Sequence, residues 1–294
     1  MSAPPSGTPR RLVYLGTPAV AVPPLLALCE AGFEVVLVVT GEDRRRGRGG
    51  ATTPSPVKSV ALERGIPIAH GLGALDGVEA DLGVVVAYGA LLPADLLERL
   101  PMVNLHFSLL PRWRGAAPVE RAILAGDERT GVCVMAVEEG LDAGGVYARA
   151  EVVIGDDTAD ALRERLAEAG SSLLVETLRS GLGSPEPQDG EATYAHKLGP
   201  DDRQLHWDGP AEGLVRVVRI GGAWTTFRGA RLKVWSAAVA GAPASGPVGT
   251  LEGDVVATGD GGLRLLEVQP DGGRRMAADA WLAGVRPEPG ELLG

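Results

Sequence analysis

Two polar side chains stand two residues apart, at Asn104 and His106, within the otherwise apolar run 102–107. Residues two apart on a β-strand point to the same face, so this run predicts that both side chains project together. An amide and an imidazole can donate hydrogen bonds to a reacting group, and an imidazole can also exchange a proton. The proline-bearing segment 108–111 follows, and open α/β sheets bind ligands at such strand ends. Taken alone, an Asn and a His near a strand end are more often satisfied polar residues than catalytic ones.

A carboxylate and an apolar loop extend this candidate site. Asp142 lies in the glycine-rich turn 140–145, where glycines permit close approach and unusual backbone dihedral angles. The alternative is that Asp142 is only a turn residue. Within the run 84–93, a second strand ends with Tyr88 and Gly89, and an apolar loop follows. This loop could bound a flat heteroaromatic ligand and offer it backbone amides and carbonyls.

These segments belong to an alternation of strands and helices in the first 185 residues. Apolar runs rich in β-branched residues predict strands at 12–16, 33–40, 81–88 and 102–107. Helical spacing predicts helices near 22–28, 55–65, 93–100, 118–127 and 157–181. Two further strands are expected on either side of the Asp142 turn. This order predicts an α/β fold with a Rossmann-like open parallel sheet.

A change in composition divides the chain into two domains. Residues 182–202 are rich in Gly, Pro and acidic residues, which is typical of a linker. Short β-like runs punctuated by glycines follow, and they predict a small, OB-like β-barrel. We therefore expect a disordered leader at 1–9, a catalytic domain at 10–185, a linker at 186–203 and a C-terminal barrel at 204–294.

Composition limits the classes of function. The formal net charge is −10, whereas a protein that binds a polyanion normally presents a basic face. Any nucleic-acid contact must therefore use locally concentrated positive charge. Cys29 and Cys133 have no metal-ligand spacing, so we expect buried thiols and no metal. No apolar run reaches the ~20 residues of a membrane span, and no coiled-coil heptad occurs. We expect a cytoplasmic monomer.

Taken together, the motifs closely resemble the 10-formyltetrahydrofolate-dependent formyltransferases, and most closely the branch that acts on methionyl-tRNA. The resemblance extends over nearly the whole chain. The segments that carry it are 15–18, 54–58, 104–111, 112–118, 141–144, 194–198, 231–235 and 276–278. It implies an enzyme that moves the formyl group of 10-formyltetrahydrofolate to the α-amino group of initiator methionyl-tRNA.

The resemblance also implies roles for individual residues. Asn104, His106 and Asp142 match the catalytic positions of the family. Hydrogen-bond donors on the first two would stabilise charge on the formyl oxygen, and Asp142 would hold His106 in its productive state or take the amine proton through a water. The folate would lie against residues of two loops, Tyr88, Gly89, Leu92, Ser108, Leu109, Leu110 and Pro111.

The same resemblance assigns the arginine-rich loop at 42–50 to the acceptor end of the tRNA. The implied tRNA-binding residues are Arg44, Arg45, Arg46, Arg48 and Lys197. A second basic group lies farther along the chain, at Arg216, Arg219, Arg228, Arg231 and Lys233. If both groups share one face, they form a positive channel with salt-sensitive tRNA binding. Two departures from the family pattern, at 50–51 and 220–224, weaken detailed statements about these contacts.

Three other interpretations are open. A formyltransferase of the same family could act on a small amine, such as glycinamide ribonucleotide or an amino sugar nucleotide. The arginine loop and the separate C-terminal domain favour tRNA instead. A dinucleotide-dependent oxidoreductase would need a Gly-x-Gly-x-x-Gly turn, which the segment 12–26 lacks. A non-catalytic RNA-binding protein would have no need for Asn104, His106 and Asp142 together.

Overall fold

The structure, a computed structural model, describes residues 7–45, 52–242 and 245–294. Contacts divide the chain into two compact units. The first unit takes its described residues from 1–119, 129–155 and 161–196, and the second from 120–128, 156–160 and 197–294. Of the predicted leader, residues 1–6 lie outside the described range, and Thr8 Oγ1 donates a hydrogen bond to the Arg179 carbonyl, 3.1 Å away.

Eleven strands and five helices occur between residues 11 and 195 of the described chain. The strands are β1 (Arg11–Gly16), β2 (Glu34–Val39), β3 (Arg44–Arg45), β4 (Thr52–Thr53), β5 (Ile68–Ala69), β6 (Leu82–Val86), β7 (Met102–His106), β8 (Arg114–Gly115), β9 (Arg129–Ala136), β10 (Val146–Val153) and β11 (Tyr194–Ala195). The helices are α1 (Val22–Glu30), α2 (Pro56–Glu63), α3 (Ala94–Arg99), α4 (Pro118–Ala125) and α5 (Ala159–Ser180).

A seven-stranded sheet forms the centre of the first unit, in the order β10-β9-β7-β6-β1-β2-β5. Five neighbouring strands pair in parallel, in the spatial order β7-β6-β1-β2-β5, which confirms the predicted Rossmann-like α/β sheet. At the other edge, β9 pairs antiparallel with both β7 and β10. A short turn joins β9 to β10, and a parallel pair would need a crossover connection of a dozen or more residues.

The apolar sequences of the central strands explain their position. Every residue of β6 is buried, and five of the six residues of β1 are buried, as expected where helices cover both faces of a sheet. Strand β6 was predicted to continue to residue 88. It ends at Val86 because Ala87 adopts a left-handed conformation, with φ of 48°, which an extended strand does not allow.

The stretch predicted as a linker, 186–203, divides between the units. Its first part is hydrogen-bonded across the first unit, where Glu186 pairs with Val146 and β11 pairs in parallel with β8. Residues 197–203 belong to the second unit by their contacts. The Gly- and Pro-rich composition therefore accompanies a segment whose backbone bonds are largely made to loops of the catalytic unit.

An antiparallel sheet of six strands forms the second unit. Its elements are α6 (Ala211–Arg219), β12 (Trp224–Phe227), β13 (Ala230–Val239), β14 (Leu251–Glu252), β15 (Val255–Ala257), β16 (Gly262–Pro270), β17 (Met276–Ala277) and α7 (Ala278–Val285). The strand order is β12-β13-β16-β15-β14, and β17 pairs with β16. The C-terminal segment bridges the two edges, because Leu293 pairs with Phe227 and Leu292 pairs with Thr250. The sheet is thereby closed, in agreement with the predicted barrel.

An ion pair joins α4 to the start of the second unit's main chain segment. Two nitrogens of the Arg121 guanidinium, Nη1 and Nη2, donate to the two oxygens of the Asp202 carboxylate, at 2.6 and 3.0 Å. The Gly199 amide donates to the same carboxylate at 2.8 Å. The hydrogen bonds from Arg121, and then the one from Gly199, hold the pKa of Asp202 below its ordinary value of 3.8. Both side chains are less than a quarter exposed, so solvent screens the pair only in part.

We expect Asp202→Asn to lower the free energy of unfolding at pH 7 by about 1–2 kcal/mol, because it removes a charge-assisted pair. A carboxyl group whose pKa falls on folding stabilises the protein above its unfolded pKa and loses that effect as the pH drops through its folded pKa. The difference from wild type should therefore persist at pH 5 and shrink below about pH 4. Urea unfolding at each pH, followed by Trp fluorescence, measures it, with the exposed Asp201→Asn as control. A difference that stays constant down to pH 3 would contradict the assignment.

Candidate active site

Strand β7 carries Asn104 and His106 on one face of the sheet. Asn104 lies opposite Val85 of β6, and His106 lies opposite Cys133 of β9, so both belong to an interior strand. Leu105 points to the other face, where it packs so closely on α5 that a methyl group added at Gly170 would lie 3.0 Å from it. The alternation of the strand therefore separates an apolar packing face from a polar face.

The Asp142 carboxylate joins these two side chains. Its Oδ1 accepts a hydrogen bond from Asn104 Nδ2 at 3.3 Å, and its Oδ2 accepts one from the Gly115 amide at 2.8 Å. The same Oδ2 lies 3.6 Å from His106 Nδ1. The Asp142 side chain is 15% exposed, so its charge is held mainly by these partners. The structure thus brings together the three residues that the sequence indicated as catalytic.

The second nitrogen of His106 is committed to the protein. Nε2 lies 2.9 Å from the Trp113 carbonyl oxygen, which can only accept, so Nε2 carries a hydrogen. The side chain is 6% exposed. Nδ1 is therefore the nitrogen that can gain or lose a proton beside Asp142. This assignment of the tautomer follows from the hydrogen-bond partner.

The loop that follows β7 is held in an unusual conformation. Trp113 has φ of 62°, its amide donates to Thr193 Oγ1 at 2.9 Å, and the Pro111 carbonyl accepts from the Thr193 amide at 3.3 Å. Gly115 has φ of 117°, and a Cβ there would lie 2.9 Å from the Ala195 carbonyl oxygen. Only glycine therefore fits at the position whose amide reaches Asp142.

The loop after β6 presents an apolar surface. Tyr88 and Leu92 pack against the core of the first unit, and Gly89 has φ of 81°. Burial raises the pKa of the Tyr88 phenol, so the hydroxyl stays protonated at neutral pH. Leu91, which the sequence analysis did not single out, is 78% exposed, and Leu141 beside Asp142 is 51% exposed. The loop predicted to bind folate thus carries one large exposed apolar side chain, and the Asp142 turn carries another.

The side chains of the segment 108–111 serve the fold. Ser108 is fully buried and donates to the Arg112 carbonyl at 2.6 Å. Leu110 is buried in a core cluster of the first unit, and Leu109 packs against Gly131, where an added Cβ would lie 2.5 Å from it. Any contact of Ser108 or Leu110 with a ligand must therefore come mainly from the backbone.

The residues predicted to bind tRNA are described only in part. Arg44 and Arg45 form β3, which pairs antiparallel with β4 and so makes the stem of a hairpin. Arg46 and Arg48 lie outside the described residues. Lys197 is exposed and belongs to the second unit.

A polar cluster fixes the base of this hairpin. Lys58 Nζ lies 2.7 Å from the Asp43 carboxylate, and the buried hydroxyls of Thr40 and Ser55 lie 2.8 Å apart. Ser55 also caps α2 by accepting from the Lys58 amide at 3.1 Å. The segment 54–58, which carried part of the family resemblance, therefore anchors the arginine loop to the first unit.

The second basic group is largely engaged within its own unit. Arg228 forms a bidentate ion pair with Glu291, and the hydrogen bond from Arg228 lowers the pKa of that carboxyl group. Arg219 donates to the Asp157 carbonyl, and the Arg231 guanidinium lies 4.2 Å from the centre of the Trp224 ring. These contacts engage arginine side chains that the sequence analysis considered for phosphate contacts.

The part of the chain that the structure describes has neither a candidate metal centre nor a candidate membrane-spanning helix. Among those residues, no three His, Cys, Asp or Glu side chains converge so that they could hold a metal ion. No helix among them is long and apolar enough to cross a membrane.

Comparison with known protein families agrees with this geometry. The formyl transferase family model matches residues 10–178, and the model of the formyl transferase C-terminal domain matches residues 197–286. The chain belongs to the formyl transferase family. A methionyl-tRNA formyltransferase of Symbiobacterium thermophilum is 44% identical over an alignment that covers 93% of this chain and 92% of the relative. A methionyl-tRNA formyltransferase of Heliobacterium modesticaldum is 43% identical over an alignment that covers 97% of this chain and 100% of the relative.

Two solved structures share the fold. The N-formyltransferase of Helicobacter canadensis, solved with folinic acid and dTDP-3-aminofucose, superposes with a TM-score of 0.69 at 14% identity and covers 91% of this chain and all of that one. HypX of Aquifex aeolicus, solved with tetrahydrofolic acid, gives a TM-score of 0.67 at 17% identity and covers 97% of this chain and 49% of that one. At these identities the likeness extends to the fold alone.

We predict that neutral His106 carries its hydrogen on Nε2, because the Trp113 carbonyl accepts from that atom. Nitrogen-15 NMR of the labelled imidazoles distinguishes the two tautomers. The chain has four histidines, so the signals of His106 are assigned as those missing from His106→Gln. A neutral His106 with its hydrogen on Nδ1 would contradict the hydrogen bond on which the site geometry depends.

Proposed function

We propose that this formyl transferase moves the formyl group of 10-formyltetrahydrofolate to the α-amino group of initiator methionyl-tRNA, in the cytoplasm. The observation that carries the proposal is the convergence of Asn104, His106 and Asp142 in a chain whose relatives of similar length are methionyl-tRNA formyltransferases. An alternative acceptor would be a small amine, whereas the names of both relatives described above give methionyl-tRNA as the acceptor.

The reaction exchanges one carbon–nitrogen bond for another. The neutral amine of the methionyl group attacks the formyl carbon, and negative charge builds on the formyl oxygen. The bond between that carbon and N10 of the folate then breaks. The attacking amine loses one proton and N10 gains one, so the net transfer needs no other reactant.

Asn104 supplies a hydrogen-bond donor for the formyl oxygen. One N–H of its amide is directed to Asp142 Oδ1 at 3.3 Å, which leaves the second N–H for the substrate. The bond to Asp142 also fixes which end of the amide faces the reaction. Such a donor, held in place before the charge develops, typically contributes on the order of 100- to 1,000-fold in rate.

His106 acts through Nδ1 in this scheme. A proton on Nδ1 makes an imidazolium that lies 3.6 Å from the Asp142 carboxylate. From this position it can donate to the formyl oxygen and then return a proton toward the leaving nitrogen. Asp142 thus serves mainly to hold Asn104 and His106, the first of the two roles that the sequence left open.

The loop after β6 suits the flat ring system of the folate. Its exposed Leu91 provides apolar surface, and Gly89 leaves the neighbouring backbone groups open to a ligand. We propose that the pterin lies against Tyr88 to Leu92 and against the backbone of residues 108–111. Recognition by backbone groups explains why the buried side chains of Ser108 and Leu110 can serve the fold.

For the tRNA, we propose that the hairpin of β3 and β4 contacts the acceptor end, with further phosphate contacts from Lys197. The net charge of −10 and the internal ion pair of Arg228 limit the positive surface. Few phosphate contacts predict weak binding that falls with salt, with roughly one counterion released for each phosphate neutralised.

The direct test is formyl transfer from 10-formyltetrahydrofolate to charged initiator methionyl-tRNA, with elongator methionyl-tRNA, free methionine, glycinamide ribonucleotide and an amino sugar nucleotide as parallel acceptors. We expect product with the initiator, and at least ~100-fold less kcat/KM with the elongator, since about 3 kcal/mol of selective contact gives that ratio. Product with a small amine and none with either tRNA would refute the proposed acceptor. Equal rates with the two tRNAs would refute the role of the hairpin.

A further inference from the structure

Gln188 contacts the turn that carries Asp142 and the Arg114 side chain of β8, although its segment was predicted as a linker. Its Nε2 donates to the carbonyl oxygens of Asp142 and Gly144, both at 2.8 Å. Its Oε1 accepts from Arg114, from Nε at 3.0 Å and from Nη2 at 2.7 Å. We propose that Gln188 is a positioning residue for formyl transfer, which acts by fixing the backbone of Asp142. The inference rests on the proposed function, because it requires Asp142 to take part in the reaction.

The partners of Gln188 require an amide at this position. The two backbone carbonyls can only accept, and the Arg114 guanidinium can only donate, so each end of the amide faces groups of the opposite kind. Rotating the amide by half a turn would set oxygen against both carbonyls and the NH₂ group against the guanidinium. A glutamate could keep the contact with Arg114 but would set a carboxylate oxygen against the carbonyls of Asp142 and Gly144.

The backbone of Asp142 has a particular need for such a contact. Its φ of 47° lies in the left-handed region, which aspartate tolerates better than most residues but which it keeps only where its surroundings hold it there. Gln188 binds the carbonyls on both sides of Ala143, so the turn cannot relax without losing at least one of these bonds. The turn in turn sets the distances from the carboxylate to Asn104 and His106, 3.3 and 3.6 Å.

Gln188 is itself placed by backbone contacts on either side. Before it, Glu186 and Val146 exchange two hydrogen bonds, at 2.7 and 2.9 Å. After it, Thr193 accepts from the Arg114 amide through its carbonyl at 2.8 Å and from the Trp113 amide through its hydroxyl at 2.9 Å. A substitution at 188 should therefore remove the amide contacts while the segment stays attached.

The test compares Gln188→Leu and Gln188→Glu with wild type in single-turnover formylation of initiator methionyl-tRNA. We expect the rate at saturating substrates to fall on the order of 10- to 100-fold, because a small displacement of a catalytic group is enough for such a loss. The KM for tRNA and the Kd for folate should change by less than about threefold, since neither contact set includes Gln188. Glu191→Ala, an exposed neighbour in the same segment, is the matched control and should keep the wild-type rate.

A double-mutant cycle separates positioning from general structural support. In an Asp142→Asn background, Gln188→Leu should lower the remaining rate by less than about twofold, because the carboxylate that it positions is gone. Asparagine also tolerates the left-handed conformation, so this background keeps the turn. An equal loss in both backgrounds, accompanied by a lower Tm, would overturn the inference in favour of a structural role.

The two proposals fail in different ways. Wild-type rates in both Gln188 variants, while Asp142→Asn is slow, would overturn the positioning role and leave the proposed function intact. Absence of formyl transfer by the wild-type chain to initiator methionyl-tRNA would overturn the proposed function and this inference with it.

Discussion

The partly buried carboxylate of Asp142 is the constraint on which the site depends. A carboxylate that is 15% exposed needs partners, since an unpaired charge at such a position is strongly unfavourable. Here the partners come from β7, through Asn104 and His106, and from the following loop, through the Gly115 amide. The φ of 47° at Asp142 and the φ of 117° at Gly115 belong to the two backbone segments that bring this carboxylate and the Gly115 amide together.

Sheet topology supplies the rest of the arrangement. Strands β6 and β7 are parallel, so the loops that follow them leave the same end of the sheet. The antiparallel strand β9 ends beside Val103, at the start of β7, and the turn after it reaches back across the polar face to bring Asp142 to Asn104 and His106. The Asp142 turn belongs to the short connection that makes β9 and β10 antiparallel. Every residue of β6 is buried and apolar or glycine, so this strand contributes no polar side chain to the site. The chemistry is therefore confined to strand ends and loops, where open α/β sheets bind ligands.

Local patterns predicted what depends on local periodicity. The strand containing Asn104 and His106, the alternating α/β order and the closed C-terminal sheet all followed from spacing of apolar residues and glycines. The contacts of Gln188 did not, because they join residues 44 to 74 positions apart in sequence. The hydrogen bond from His106 to the Trp113 carbonyl did not either, because it depends on the left-handed backbone conformation at Trp113. The composition of 182–202 favoured a linker, although its glycines and prolines accompany close backbone approach: a Cβ at Gly145 would lie 2.9 Å from Pro185. The ion pair of Arg228 with Glu291 could not be predicted either, because the two residues are 63 positions apart in sequence.

The central claim is that the Asp142 carboxylate organises the reacting groups without binding the folate. The most direct measurement pairs the single-turnover rate of formyl transfer by Asp142→Asn with the Kd of the same variant for 10-formyltetrahydrofolate. The account predicts a rate lower by about 100-fold or more, as expected when a preorganised oxyanion site is disrupted, with the Kd changed by less than about threefold. A rate close to wild type, or a loss of folate affinity as large as the loss of rate, would contradict it.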